Sequence, residues 1–397
     1  MTALVVTDAS NLMTCDPDLP GLGLVAGGAL VARGGIVTWV GPSDELPDDA
    51  HGLPHLSAAG GLVTPGLCDA HAHPIFAGER AAEFALRAAG ASYLEIAARG
   101  GGIASTVLAT TAASDEELVA GTTHRLARAL AAGTTTMEAK TGYALEIEGE
   151  LRLLELLVSV SGVQPVTLCP SLLAHLPPAG RDRAAFVDEW VKGVPRAAGR
   201  ARAVDIYCDE GAFTLDEARR ILGAAHAAGL SVRAHAGQFA DLGAAGLVAE
   251  LGGLSADHLE QLSEEHAAAL ARAGVACTLL PGACVQLRCP VPPVERMRRA
   301  GCTFALGTDL NPGSSMTESL PIQMWLACTH LGLTVEEAWL AVTRVGARAA
   351  GRATAGQLVP GSPADLVVWD TDDHRTIPYH YGVSFVGTVV VAGRAVA

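Results

Sequence analysis

What the chain lacks first is positive charge. Its 27 Lys and Arg face 42 Asp and Glu, a formal net charge of −15. A nucleic-acid partner would want a basic face, so that class is set aside. Long unbroken apolar runs are missing as well. Mean hydropathy is +0.31, yet every long uncharged stretch is interrupted by Gly, Pro or His. The stretch between Asp18 and Arg33 is shorter than the about 20 apolar residues of a membrane span. No membrane partner is expected. Paired cysteine motifs are also absent: nine cysteines, an odd number, are scattered without a CxxC. The first residues, Met1 to Asp8, carry no basic n-region and no cleavable apolar segment. These features read as reduced thiols in a cytoplasmic protein.

What is present is core material. Half of the 397 residues are hydrophobic and 17% are charged, enough for a large interior. The length exceeds an average single domain but suits a barrel of alternating strands and helices.

The chain is organised around residues 62–80, where a β-prone apolar run meets His71-Ala72-His73. Residues two apart in a strand share a side, so the two imidazoles can aim at one point, as a divalent metal requires. Residues 1–60 and 353–397 read as short strands bounded by Gly and Pro, for example Gly35–Pro42, Ala364–Asp370 and Val386–Gly393. Neither end can bury a sheet face alone, so both are expected to pair into one small β-domain around residues 61–352.

That middle part alternates strands and helices. Eight apolar β-like runs are predicted: 62–68, 134–140, 166–174, 203–208, 231–236, 254–257, 275–280 and 302–308. Capping boxes begin three of the intervening helices, at Ser114/Glu117, Thr214/Glu217 and Thr334/Glu337. Gly229 suits the end of the second. Eight such units predict an α/β fold, a TIM (β/α)8 barrel with a small β-sandwich domain formed by both termini. An open doubly wound sheet would need a phosphate-binding glycine loop after the first strand, and histidines stand there instead. The glycines 100–102 follow Arg99 at a predicted helix end and read as a flexible loop.

In such a barrel the chemistry sits at the C-terminal ends of the strands. Those ends, in order, offer His71 and His73; Glu138, Lys140 and Tyr143; His175; Cys208, Asp209 and Glu210; His235 and Gln238; Asp257 and His258; and, after the eighth, Thr308, Asp309, Asn311 and Ser314. His-x-His on the first strand, His on the fifth and sixth and Asp on the eighth resemble the amidohydrolase superfamily. So does the tail Gly356–Asp370. Within that superfamily the stretches Asp69–Arg80, Gly133–Tyr143, Ser255–His258, Thr308–Ser314 and Thr317–Pro321 are similar to the imidazolonepropionases.

The resemblance implies one divalent metal, zinc or iron, held by His71, His73, His235 and Asp309 with a position open for water. It implies His258 on the water or the substrate carbonyl, a second ligand being its alternative, and Asp309 as the proton acceptor. Arg80 suits a substrate carboxylate in a bidentate fork; a surface salt bridge is its plainer reading. Tyr143, His175, Gln238, Asn311, Gly313 and Ser314 match positions lining the substrate pocket. Lys140 is read as a buried ion pair with Glu138 or Glu210, or else as a lysine bridging two metals, which its strand fits poorly. His124, His226, His266 and His330 are read as structural, and His51, His55 and His374 as loop residues. One departure stands out. The family usually has Asp-Glu after the fifth-strand His, and this chain has Gly237-Gln238. Gln238 hydrogen-bonds but takes no proton.

The implied reaction is hydrolytic opening of a cyclic amide on a small carboxylate-bearing substrate. A deaminase or another cyclic amidohydrolase, a two-metal relative and a non-catalytic binding relative remain as alternatives. A homodimer is left open.

Overall fold

The computed structural model describes residues 2–91 and 101–397. At its centre an eight-stranded parallel sheet runs in chain order, each strand hydrogen-bonded to the next. Its strands are β1 (Leu67–Ala72), β2 (Thr134–Lys140), β3 (Thr167–Ala174), β4 (Ala203–Cys208), β5 (Ser231–Ala236), β6 (Ser255–His258), β7 (Ala276–Leu279) and β8 (Thr303–Leu306). The segment after β8 closes the circle on β1. The Asp309 N–H donates to the His71 carbonyl at 2.9 Å and the His73 N–H to the Leu310 carbonyl at 3.1 Å. Asp69, buried on β1, accepts from both the N–H and the hydroxyl of Thr308 at 3.0 and 2.6 Å. The fold is thus a TIM-like barrel.

Helices follow the strands where the local sequence starts them. Ser114, Thr214 and Thr334 cap helices Asp115–Ala131, Leu215–Ala227 and Val335–Ala341, each with its capping box complete. Each cap contributes about 1 kcal/mol. The chain leaves the second helix through Gly229 at φ +75°. Of the glycine cluster, Gly102 caps helix Ile103–Ala112, and Arg99 and Gly100 lie outside the described residues.

Both termini build a separate β-sandwich. One sheet has the order Ile36–Pro42, Gly28–Arg33, Ala3–Thr7, His55–Ser57. The other has the order Arg394–Ala395, Val386–Val391, Leu366–Trp369, Leu62–Pro65, Asn11–Met13, Leu24–Ala26. Leu4, Val6, Leu12, Leu30, Val63, Leu366 and Val390 pack between them.

Two sequence expectations are corrected. The run 62–68 is not one barrel strand: Leu62–Pro65 pairs with Leu366–Trp369 in the sandwich, and the barrel strand starts at Leu67. Gly66 is the switch. Its N–H donates to Asp365 at 2.9 Å, and a Cβ there would lie 2.1 Å from Thr135 Oγ1. His55 is not in a loop but opens a strand parallel to Ala3–Thr7. Among the described residues no helix is long and apolar enough to cross a membrane.

Candidate metal centre and active site

His71 lies on β1, and His73 follows one residue past its end on the same side. The Nε2 atoms of both stand 3.5 Å from one oxygen, Asp309 Oδ1. The ligand atoms of His71, His73 and Asp309 lie within 4.8 Å of one another, as do those of His71, His235 and His258. His71 joins the two groups. The His235 ring is 4.5 Å from His71 and 5.5 Å from His73 between centroids. The four expected ligands and His258 therefore meet at the C-terminal mouth of the barrel, all buried.

Their protonation suits a cation. Burial holds His73 below the ordinary histidine value and His235 well below it, and metal binding needs neutral imidazole. Burial opposes the charge on Asp309, but His71 and His73 overcome it and keep that carboxyl well below the ordinary range. His71 Nε2 and His73 Nδ1 are buried without a hydrogen-bond partner. An unmet buried polar atom costs about 1–3 kcal/mol, and a cation would satisfy His71 Nε2. Three imidazoles and a carboxylate are a fitting donor set for zinc, iron and similar ions.

The rings are aimed from beneath. Asp257 Oδ2 faces His71 Nδ1 at 2.7 Å, and Asp205 Oδ1 faces His235 Nδ1 at 3.2 Å. A carboxylate on Nδ1–H fixes the tautomer that leaves Nε2 bare. Lys140 donates to Asp205 at 2.6 Å, Glu138 at 3.1 Å and Asp257 at 3.3 Å. Arg233 pairs with Glu138 at 2.8 Å and donates to Ser255 Oγ at 2.6 Å and the Ala70 carbonyl at 2.9 Å. All five charged groups are buried. Glu138 is thus a Lys140 partner as expected, while Glu210 is exposed on the following loop.

Asp205, Arg233 and Glu260 escaped the sequence reading, and Asp257 entered it as a polar strand end without a role. A signal existed for three of them. Asp205, Arg233 and Asp257 interrupt apolar strands at inward positions, Arg233 two residues before His235 on the same face.

His258 Nδ1 lies 3.3 Å from Glu260 Oε1. Burial disfavours its charge, but Glu260 prevails and lifts it to about 9. His258, Leu259 and Asp309 have φ of +76°, +73° and +50°. Side chains other than glycine's are strained there, by about 1–3 kcal/mol each, and such strain gathers at functional sites. The Leu259 N–H, tied to Ala236 at 3.0 Å, helps hold the turn.

Above the mouth, Tyr143 and His175 stand beside His73, with ring centroids 6.0 and 5.8 Å away. Burial lowers His175 to about 4, so the ring is neutral. Its Nδ1 meets the Gly142 carbonyl at 2.9 Å. Gln238 Oε1 accepts from the Tyr207 hydroxyl at 3.0 Å. Asn311 is turned into its own loop. Its Nδ2 donates to Asp309 O and Ser314 Oγ, and its Oδ1 accepts from the N–H of Gly313 and Ser314. Ser314 Oγ donates to Asp309 Oδ2 at 2.8 Å. Arg80 forks Glu83 through Nε and Nη2 at 2.9 and 2.8 Å, the plainer of its two readings. Its Nη1 lies over Gly313, where a Cβ would come within 2.7 Å.

The Amidohydrolase family profile matches residues 87–397. The chain is 44% identical over 405 residues to an imidazolonepropionase from Anaeromyxobacter dehalogenans, covering 100% of this chain and 96% of that one. It is 44% identical over 369 residues to an imidazolonepropionase from Acidiphilium cryptum, covering 91% and 92%. Its fold is similar to that of a zinc-bound adenosine deaminase from Xanthomonas campestris, at TM-score 0.72 and 20% identity, covering 99% of this chain and 92% of that one. It also resembles a guanine deaminase from C. acetobutylicum, at TM-score 0.70 and 15% identity, with both chains covered in full.

Proposed function

The chain belongs to the imidazolonepropionase family of amidohydrolases, and on that premise we propose that it opens the cyclic amide C–N bond of 4-imidazolone-5-propanoate, giving N-formimidoyl-L-glutamate in histidine degradation. In this reading one ion, zinc or iron, is held by His71, His73, His235 and Asp309. The observation that carries it is the shared Asp309 oxygen 3.5 Å from both His71 and His73, above carboxylates that aim two of the rings.

An ion bound there acts as a Lewis acid and lowers the pKa of water. Asp309, kept ionised by its neighbours, takes the proton of the attacking water. His258, its charge supported by Glu260, donates to the ring carbonyl oxygen as negative charge gathers on it. Asp309 then returns the proton to the departing ring nitrogen, and the C–N bond opens. Arg80 binds the propanoate through its guanidinium. Tyr143 and His175 wall the pocket with uncharged rings. Asn311 and Gly313 shape the loop that carries Ser314, and Ser314 steadies Asp309. Gln238 hydrogen-bonds the imidazolone ring and carries no proton. The same proposal covers a cytoplasmic homodimer, with the catalytic unit of residues 61–352 starting instead at the barrel strand from Leu67, and Leu62–Pro65 joining residues 1–60 and 353–397 in the β-domain.

The test is turnover of freshly generated imidazolone propanoate beside a panel of cyclic amides and aminopurines, for the native chain and Arg80→Ala. Selective loss of the anionic substrate in the variant is the expected result. Turnover of an aminopurine alone, indifferent to Arg80, would make the chain a deaminase instead.

A further inference from the structure

Behind His258 lies a cluster whose two thiols the proposed chemistry leaves unused. Glu260, Cys284 and Cys289 each bring a potential ligand atom within 4.8 Å of the others. Glu260 and Cys284 are buried and Cys289 is partly exposed. Cys284 sits in helix Pro281–Leu287. Arg288 caps that helix at φ +56°, and the Cys289 N–H returns to the Cys284 carbonyl at 3.1 Å. This left-handed turn brings the second thiol back beside the first.

The Cys284 thiol donates to Glu260 Oε1 at 3.3 Å, the oxygen that also faces His258 Nδ1 at 3.3 Å. The Cys289 thiol reaches the Cys284 carbonyl at 3.8 Å. Glu260 Oε2 is buried with no partner. A disulfide between the two sulfurs would leave that oxygen unmet and remove the donor on Oε1. A cation would give all three side chains a partner.

We propose that Glu260, Cys284 and Cys289 form a second metal site, separate from the histidine centre, that takes a soft divalent ion and restrains turnover. Two thiolates and a carboxylate are the donor set for zinc or cadmium. Binding releases two thiol protons for each ion bound, with no change in oxidation state. The partly exposed Cys289 offers the route of entry. The ion draws the Glu260 carboxylate to itself, so His258 Nδ1 loses the oxygen it faces at 3.3 Å and with it the contact that orients the ring. Binding rests on the cluster alone; the effect on turnover rests on the role proposed for His258.

The test uses the protein already loaded with one metal ion per chain, titrated with cadmium chloride. No sulfur belongs to the histidine centre, so a thiolate-to-cadmium charge-transfer band that is lost with Cys284 and Cys289 reports the thiol pair. One further cadmium per chain is expected, with the band. Turnover should fall roughly ten- to a hundredfold, the usual effect of disturbing such a supporting carboxylate. Cys284→Ser/Cys289→Ser should keep native turnover, lack the band and escape inhibition; Cys289→Ser alone serves if the double variant fails to fold. An undiminished band in these variants, or no extra cadmium on the native chain, overturns the site. Binding through both thiols with turnover unchanged upholds the site and overturns the restraint, and with it the His258 role.

Discussion

Asp257 Oδ2 stands 2.7 Å from His71 Nδ1 and 3.3 Å from Lys140 Nζ. One buried oxygen therefore orients a proposed ligand and balances an ammonium. Asp257→Asn would put an amide, able to donate or accept, where only an acceptor stood. His71 could then carry its proton on Nε2, facing the ion. Metal affinity should fall about 10- to 100-fold. Metal content after dialysis against graded chelator checks this, and native-like retention would separate Asp257 from the ion.

Lys140 holds three carboxylates together in a fully buried layer. Lys140→Met keeps most of the volume and removes the charge, leaving only Arg233 against Glu138, Asp205 and Asp257. Removing one member of a buried ionic group typically costs about 3–5 kcal/mol. Denaturant unfolding should show a loss of that size. Should Lys140 instead bridge metals, the variant would lose one of two bound ions, so metal counting on the same samples distinguishes the two.

How far these residues could be read from the sequence depended on how local their signal was. The capping boxes at Ser114, Thr214 and Thr334 span four residues and declared themselves. His71 and His73 followed from strand periodicity, and the run of polar strand ends marked the barrel mouth. The Asp257–His71 and Asp205–His235 pairs were not readable, because they depend on strand neighbours far apart in sequence. Nor was the break at Gly66. Leu62–Pro65 runs on to Leu67 and Cys68 with no charged residue between, and the break shows only in the packing of Thr135 against Gly66 and the Gly66 bond to Asp365. The partner of Arg80 was not foreseen either: Glu83, three residues on, takes Nε and Nη2, and Nη1 is left beside Gly313 for the proposed anion.

Glu217 gives a pH test remote from the metal centre. Two hydrogen bonds from Arg183, at 2.7 and 2.6 Å, hold its carboxyl at about 2 against burial, with the Thr214 N–H helping. Its folded value is thus depressed from the ordinary 4.5. The stability it supplies is present above about pH 4.5 and lost as pH falls towards 2. Glu217→Gln should unfold at lower denaturant than the native chain at neutral pH. The gap should narrow below pH 4.5, and a gap independent of pH would mean that the carboxylate's charge contributes nothing.

Gly313 and Arg80 supply a test of substrate binding without touching the proposed ligands. A Cβ on residue 313 would lie 2.7 Å from Arg80 Nη1 and 3.2 Å from Asn311 Oδ1. Gly313 is not among the residues with positive φ, so alanine fits the backbone there. The close neighbour is the end of a flexible side chain, which can swing aside. Gly313→Ala should therefore change unfolding stability by no more than about 0.5 kcal/mol. It should nevertheless displace Nη1, the guanidinium nitrogen that the Glu83 pair leaves for an anion. A charged hydrogen bond is worth about 1.5–3 kcal/mol, so KM should rise roughly 10- to 100-fold with kcat little changed. Arg80→Ala should match it in KM, and the double variant should add little to either, because both act on one contact. A Gly313→Ala enzyme with native KM would place the carboxylate of the substrate elsewhere in the pocket.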